Sequence, residues 1–253
     1  MKWYIKLILP IIIVGIWELC ALLINNPFIL PTVDSVFSKL LTPFAEVFGI
    51  GSLASNTLTS LERVVIGFLI ACAIAVPLGI FLGSHPFWEQ FSDWVIQIFR
   101  PIPPLAWVPL SLAWFGIGMT SIVFIIVIGC IFPILVSTIE GVKRVKKSWL
   151  ETAKIYQAND RQVIWHITLP AAAPAIWNGL RIGFGIAWMS VIAAEMMPGS
   201  SRGIGYLIMY CYNFGQVSYI IAGMICIGII GIGMDIIFKL VQKKKFAWEA
   251  LDK

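Results

Sequence analysis

The sequence has few charged residues, few cysteines and only two histidines. Charged residues make up 12% of its 253 positions, whereas an average soluble domain has about 25%. Apolar residues make up 59%, so there are too few charges to cover a water-soluble fold of this size. The aromatic content of 13% and the irregular spacing of glycine exclude disordered and collagen-like chains. The composition therefore indicates an integral membrane protein.

Patterns that support catalysis or metal binding are also absent from the sequence. The five cysteines form no CxxC pair and no Cys/His cluster, so we expect no metal site. There is no GxxxxGK[ST] phosphate-binding loop, and no nucleophile triad can be assembled. His85 and His166 are expected to be surface or packing residues. We therefore predict a chain that is not an enzyme, has no catalytic residue and binds no cofactor itself.

Six segments are apolar and long enough to cross a bilayer core about 30 Å thick. They are residues 7–24, 64–83, 94–116, 121–138, 173–197 and 217–238. The first segment could also be a cleaved signal peptide, but Glu18 and the lack of a clear small-x-small site favour an uncleaved span. In the third segment Pro101, Pro103 and Pro104 remove backbone donors, so we predict irregular backbone that lines the protein interior.

The positions of the basic residues predict the orientation of these spans. Most of the 18 Lys and Arg residues precede the first span (Lys2 and Lys6), lie between the fourth and fifth spans, or follow the sixth. Because such residues are retained in the cytoplasm, both termini are predicted to be cytoplasmic. The basic clusters are then orientation signals rather than nucleic-acid sites, and the run from 243 to 245 is expected to contact anionic lipid.

The same patterns predict how the chain is divided. Residues 1–25 form an N-terminal transmembrane helix, and residues 26–59 form an extracytoplasmic segment. In that segment Thr32 can cap an amphipathic helix at the membrane interface, with apolar residues recurring from 33 to 48. Residues 60–245 form the core, with a cytoplasmic loop at 139–172. Residues 246–253 form a cytoplasmic tail.

The cytoplasmic loop has a helical pattern of its own. Ser148 can cap a short helix, with Glu151 completing a capping box. Asn159 or Asp160 can cap a second helix, and Leu169 followed by Pro170 is expected to end it. Two short helices fixed between spans are either a docking element or a re-entrant hairpin that only positions the fifth span. Composition alone does not choose between these interpretations.

Four parts of the sequence resemble a known family. Glu151, Ala153, Ala158, Leu169 and Pro170 are similar to the EAA loop of ABC importer permeases. Residues 60–68, 100–118 and 179–196 resemble the permeases that serve nitrate, sulfonate, taurine and bicarbonate importers. The resemblance extends from about residue 60 to the C-terminus.

This resemblance implies an all-α membrane protein with the type I ABC importer permease fold and six transmembrane helices. The chain would be a multi-pass permease of a prokaryotic cytoplasmic (inner) membrane. Its partners would be a second permease subunit, most simply an identical copy, two cytoplasmic ATP-binding subunits and an extracytoplasmic substrate-binding protein. ATP and Mg would bind the ATPase subunits. Nitrate, bicarbonate, taurine, another sulfonate or a vitamin precursor would fit as substrate, and the alternative from another class is a self-contained ion-coupled carrier.

In that family the cytoplasmic loop couples the permease to the ATPase. The residues that this assigns to coupling are Glu151, Ala153, Gln157, Ala158, Asn159, Asp160, Leu169 and Pro170. Gln157 stands where the family has glycine. If the glycine position requires a left-handed conformation, Gln157 would be strained, and we expect Asn159 to take over the turn.

Charged residues within the spans are candidates for the translocation pathway. Arg181, Trp188 and Glu195 follow one another at steps of seven and lie near one stripe of the fifth span. With Asn178 and Trp188, Arg181 either faces the pathway and attracts an anion or pairs with an acidic residue of another span. Glu195 is expected to be a gate or a packing partner. Arg100 and Trp107, beside the proline-rich segment, are further candidates.

Overall fold

The computed structural model describes residues 5–246, and these are almost entirely helical. The helices are α1 (Ile5–Ile24), α2 (Val33–Leu41), α3 (Leu53–Ser84), α4 (Pro86–Phe99), α5 (Val108–Phe115), α6 (Met119–Lys143), α7 (Lys147–Ile155), α8 (Asp160–Val163), α9 (Leu169–Glu195), α10 (Ile204–Asn213) and α11 (Val217–Lys245). Within residues 5–246 the one β feature is an isolated bridge between Glu46 and Ser52. The predictions for Lys2 and for tail residues 247–253 fall outside the described residues.

Among residues 5–246, four long helical segments are apolar enough to cross a membrane. They are α3, α6, α11 and the continuous stretch Asp160–Glu195. A fifth crossing is possible where α4 and Pro104–Phe115 form a broken pair bent by 85°. The helix Ile8–Ile24 is apolar but shorter. The all-helical membrane fold is therefore confirmed, while the count of six spans and the cytoplasmic termini stay predictions.

The broken third span is where the prolines predicted irregular backbone. Helix α4 ends at Phe99, and the chain resumes as a single 3₁₀ turn, Pro104–Trp107, before α5. Pro101, Pro103 and Pro104 lack the N–H groups that a continuous helix requires. After α5, Gly116 has φ +70° and Gly118 has φ +153°, and these two residues separate α5 from α6.

Contacts divide the chain into two units, residues 1–61 with 195–230 and residues 62–194 with 231–253. In the first unit the buried core includes Ala21 of α1, Val36 of α2 and Leu207 of α10. In the second unit α6 carries much of the buried surface, including Ile126 and Ile134. The domain boundaries predicted at residues 25, 59 and 245 stay predictions.

Helix α6 packs closely against both α3 and α9 through glycines on those two helices. A Cβ at Gly67, Gly79 or Gly83 of α3 would overlap a side chain of α6. The same holds for Gly179 and Gly183 of α9. Small residues at such crossings let helix backbones approach and gain van der Waals contact in a membrane.

The amphipathic helix predicted for residues 26–59 is shorter than expected. Helix α2 ends at Leu41, because the following Thr42 precedes Pro43 and proline disfavours helical conformation in the residue before it. Thr32 is the N-cap residue, as predicted, but its side chain makes no capping hydrogen bond. Instead, the Val33 N–H donates to the Glu18 carboxylate of α1 at 2.7 Å. An acidic group at a helix N-terminus is favourable for the helix dipole.

Candidate functional site

The predicted coupling loop forms two short helices, as the sequence indicated, but α7 begins earlier than expected. The helix starts at Lys147, and the Trp149 N–H donates to the Lys146 carbonyl at 3.0 Å. Ser148 therefore lies inside the first turn, and its carbonyl accepts the Thr152 hydroxyl at 2.8 Å. The predicted capping box of Ser148 and Glu151 is wrong, because Ser148 lies inside α7 and is not its N-cap residue.

The turn that ends α7 is centred on Gln157. This residue has φ +54°, the left-handed conformation, and the Ala158 N–H donates to the Ala153 carbonyl at 3.0 Å. That bond is the outer bond of a Schellman motif, which places the left-handed residue one position before its donor. Asn159 has φ −76° and ψ 163°, so the expected transfer of the turn to Asn159 is wrong. Gln157 itself adopts the conformation in which glycine is favoured.

Asn159 caps α8, which confirms one of the two capping alternatives. Its side-chain oxygen accepts the Gln162 N–H at 2.9 Å, and the Gln162 side chain accepts the Asn159 N–H at 2.9 Å. This reciprocal pair holds the turn between α7 and α8.

The expected helix end at Leu169 and Pro170 is wrong. A π-helical turn, Ile164–Thr168, connects α8 to α9, and the Leu169 N–H donates to the Ile164 carbonyl. Pro170 has no N–H to donate to the preceding helical turn. The wider π-helical turn before it lets the helix continue past this proline. Helices α8 and α9 are therefore one continuous helical segment, Asp160–Glu195.

The segment of residues 147–170, which we call the coupling element, exposes large apolar side chains. Ile155 is 79% exposed, Tyr156 81% and Trp165 66%. A cavity of about 640 Å³ beside it is lined by apolar groups that include Trp149 and Pro170. Ala153 is buried, while the predicted coupling residues Glu151, Gln157, Asn159 and Asp160 are exposed, and Ala158 and Leu169 are half-buried.

A second cavity adjoins the coupling element on another side. Its volume is about 510 Å³, and its lining includes Lys143, Lys147, Asp160 and His85. Apolar side chains such as Val142 and Leu150 also line it, so this cavity mixes charged and apolar groups. The coupling element therefore presents one apolar surface and one surface that also carries charges, which suits it to contact another protein.

Arg181 pairs with an acidic residue of another helix. Its Nε donates to Asp235 Oδ1 of α11 at 2.6 Å, and Lys239 Nζ lies 2.7 Å from Asp235 Oδ2. Asp235 is the one acidic residue of α11. A single acidic residue within an apolar helix could have been recognised in the sequence as a candidate partner for Arg181. The structure therefore contains the paired arrangement that was one of the two alternatives for Arg181, and a role in the pathway stays a prediction.

The other predicted pathway residues have differing surroundings. Trp188 is buried, with Gly231 of α11 nearby, whereas Asn178 is exposed. Arg100 is exposed at the end of α4. The Trp107 ring stacks on Phe99 at 5.9 Å between centroids, and its buried Nε1 has no hydrogen-bond partner among the described residues.

Glu195 belongs to the first unit and is completely buried. Its Oε2 accepts the Ser60 hydroxyl at 2.7 Å and the Gly205 N–H at 3.1 Å. Arg181 and Trp188 belong to the second unit. The partner Ser60 lies 135 positions away in the chain, and no local pattern in the sequence indicates that contact.

Comparison with known proteins identifies the family. Residues 75–246 match the family described as binding-protein-dependent transport system inner membrane component. The chain belongs to this family. A protein of Methanocaldococcus jannaschii named as a candidate ABC transporter permease is 49% identical, over 98% of this chain and 93% of that protein. The taurine transport system permease protein TauC of Escherichia coli is 33% identical, over 92% of this chain and 84% of TauC.

A solved structure shows the same fold. The inward-facing MetNI methionine ABC transporter superposes with a TM-score of 0.66 and 17% identity, over 76% of this chain and 95% of the matched chain. Further relatives, 33 to 35% identical, are named as sulfonate, nitrate and bicarbonate permeases. The chain is thus a membrane permease of a binding-protein-dependent ABC importer. Such importers include a substrate-binding protein and an ATPase.

Proposed function

We propose that this permease imports a small oxyanion or sulfonate across the cytoplasmic membrane of a prokaryote. The names of its relatives support this substrate class, since they specify taurine, aliphatic sulfonates, nitrate and bicarbonate. Two copies of the permease assemble with two ATPase subunits, which bind ATP and Mg. The permease itself contributes the path and the mechanical connection, not the hydrolysis.

The observation that carries this proposal is the exposed apolar surface of the coupling element. Ile155, Tyr156 and Trp165 are all largely exposed in the isolated chain, and large apolar side chains exposed close together in the sequence favour an interaction site. The turn between α7 and α8 is held by the Ala158 to Ala153 bond and by the Asn159 capping box. Because its turn is rigid, the coupling element can transmit movement of a bound ATPase subunit to the membrane helices.

A stripe along α9 supports a permease dimer. Its exposed positions follow helical spacing and are Asn178, Ile182, Gly185 and Met189. A Cβ at Gly185 would meet no atom within 4 Å. Asn178 is polar and Gly185 is not covered by a side chain. Within a span, such residues more often contact another helix or a water-filled path than lipid. We assign this stripe to the second permease copy and to the pathway between the copies, near which Arg181 would attract the anion.

Copurification tests the docking role of the coupling element. The permease is coexpressed with its ATPase, and Tyr156→Asp is compared with Tyr212→Asp, which changes a similarly exposed tyrosine of α10. Tyr156→Asp is expected to reduce ATPase recovery at least about tenfold, because it places a charge in an apolar interface, while Tyr212→Asp retains it. Equal recovery with both variants would overturn this role.

Reconstitution tests the transport function. Uptake of taurine, nitrate and bicarbonate into proteoliposomes is expected to require the ATPase, ATP and the binding protein. Uptake by the purified permease without ATP would favour the self-contained carrier instead.

A further inference from the structure

Three side chains in the first unit bind the N-terminal turn of α10. Asn56 Oδ1 accepts the Gly203 N–H at 2.8 Å, and Ser60 Oγ accepts the Ile204 N–H at 2.9 Å. Glu195 accepts the Gly205 N–H at 3.1 Å and the Ser60 hydroxyl at 2.7 Å. The first N–H groups of a helix have no partner within the helix. Here a buried carboxylate and two buried polar side chains supply the acceptors.

Asn56 connects this network to the loop that precedes α3. Its side-chain amide donates to the Ile50 carbonyl at 3.1 Å and to the Ser52 carbonyl at 2.9 Å. The same side chain therefore binds the loop of residues 46–52 and the turn before α10. Because Asn56 is only 1% exposed, breaking either set of bonds would leave a buried polar group unpaired.

A polar cleft of about 310 Å³ lies between these two loops. Its lining includes Glu46 and Gly49 from the first loop, Thr59 from α3, and Ser201 and Arg202 from the second loop. Asn56 forms part of the cleft wall. The network of Asn56, Ser60 and Glu195 therefore fixes the positions of both sides of the cleft.

The lining of the cleft favours a protein as its occupant. Its rim carries both an acidic side chain, Glu46, and a basic one, Arg202, so a simple anion would meet repulsion as well as attraction. The polar lining does not suit a lipid acyl chain. Gly49 has positive φ, and a Cβ there would meet no atom within 4 Å, so its backbone is open on that side. A surface loop of a protein, with polar side chains of both signs, fits this combination.

We propose that Glu195, acting through Ser60 and the N-terminal turn of α10, is a positioning residue for this cleft, and that the cleft receives a surface loop of the substrate-binding protein. This rests on the proposed function and on the predicted topology, which places both loops on the outer side. Glu195 does not contact the transported substrate in this scheme. It holds the loops in the geometry that the binding protein recognises.

ATPase measurements on the reconstituted importer test the positioning role. Ser60→Ala removes the hydroxyl that donates to Glu195 and accepts the Ile204 N–H, and it leaves the direct bond from Gly205 to Glu195 in place. Ser111→Ala is the matched control, because Ser111 is also fully buried but its hydroxyl donates to the Val108 carbonyl of its own helix, α5. Ser60→Ala is expected to raise the concentration of loaded binding protein needed for half-maximal stimulation about fivefold, with basal ATPase activity and the maximal rate unchanged.

A general structural role would lower basal activity and complex yield together, and that result would overturn the proposal. An unchanged half-maximal concentration in Ser60→Ala would also overturn it. Glu195→Gln keeps an acceptor oxygen in nearly the same place, so its effect is expected to be smaller than that of Glu195→Ala. The reverse order would contradict the hydrogen-bonding role.

Photocrosslinking tests the partner directly. A photoreactive maleimide is attached at Ser201→Cys in the cleft or at Ser38→Cys on α2, and both positions are exposed serines in the native chain. An adduct with the binding protein is expected from position 201 and not from position 38. Equal adducts from both positions, or none from 201, would overturn the cleft as docking site. If the unmodified importer shows no stimulation by any anion-loaded binding protein, the proposed function fails and this proposal fails with it.

Discussion

Replacing Gly203 by alanine should destabilise the permease far more than most glycine substitutions. Gly203 precedes α10 with φ +119° and ψ 159°, a conformation that other residues rarely adopt. A Cβ built there would lie well inside contact distance of the Glu195 carboxyl group. Because Glu195 is completely buried and hydrogen-bonded, it cannot move aside without losing its partners.

Two contributions to the cost of Gly203→Ala can be added. The unfavourable backbone conformation costs about 1–3 kcal/mol. Displacing Glu195 leaves buried donors unpaired, which costs about 1–3 kcal/mol more. In a protein of this size about 1 kcal/mol lowers the melting temperature by about 2–4 °C. We therefore expect a decrease of at least about 4 °C.

Thermal unfolding in detergent, followed by size-exclusion chromatography with fluorescence detection, measures this effect. Gly233→Ala is the matched control, because Gly233 lies inside α11 and a Cβ there meets no atom within 4 Å. Alanine is the better helix former, so the control should be neutral or stabilising by up to about 1 kcal/mol. A decrease for Gly203→Ala of less than about 2 °C, or one equal to the control, would refute the close packing of Gly203 on Glu195.

Three further predictions concern the coupling element and the charged residues of the spans. Gln157→Gly should relieve the left-handed strain by about 1 kcal/mol, so hydrogen exchange at the Ala158 amide should slow by about fivefold, and faster exchange would contradict the turn. Glu151→Arg should leave membrane insertion intact but abolish ATPase stimulation, and unchanged transport would count against its role in docking. Asp235→Asn leaves two cations without their shared partner, whereas Arg181→Met leaves Asp235 paired with Lys239. Asp235→Asn should therefore lower the melting temperature more, and the opposite order would be inconsistent with the observed pairing.

The sequence was most informative where structure depends on composition or on neighbouring residues. Apolar runs predicted the long helices, and three prolines predicted the break between α4 and α5. The sequence offered Asn159 or Asp160 as the cap of α8, and Asn159 is the cap in the structure. Its capping-box partner, Gln162, is only three residues away, so this local pattern could also have been predicted. Pro43 could likewise have been used to end α2 at Leu41, since the effect of proline on the preceding residue is local.

The remaining features depend on contacts between distant parts of the chain. Glu18 caps α2 from another helix, and Glu195 binds Ser60 across 135 positions. Neither pairing has a periodic signal, because packing brings these groups together. The π-helical turn before Pro170 is a similar case, since it lets α8 and α9 continue as one segment where proline alone predicted an end. Buried polar contacts of this kind required the structure.

The most direct test of the coupling mechanism is a cryo-electron microscopy map of the intact importer at side-chain resolution. The account predicts that residues 147–170 insert into a surface of the ATPase subunit and that Tyr156 and Trp165 are covered there. A map of the assembled complex in which this segment contacts only solvent or lipid would contradict it.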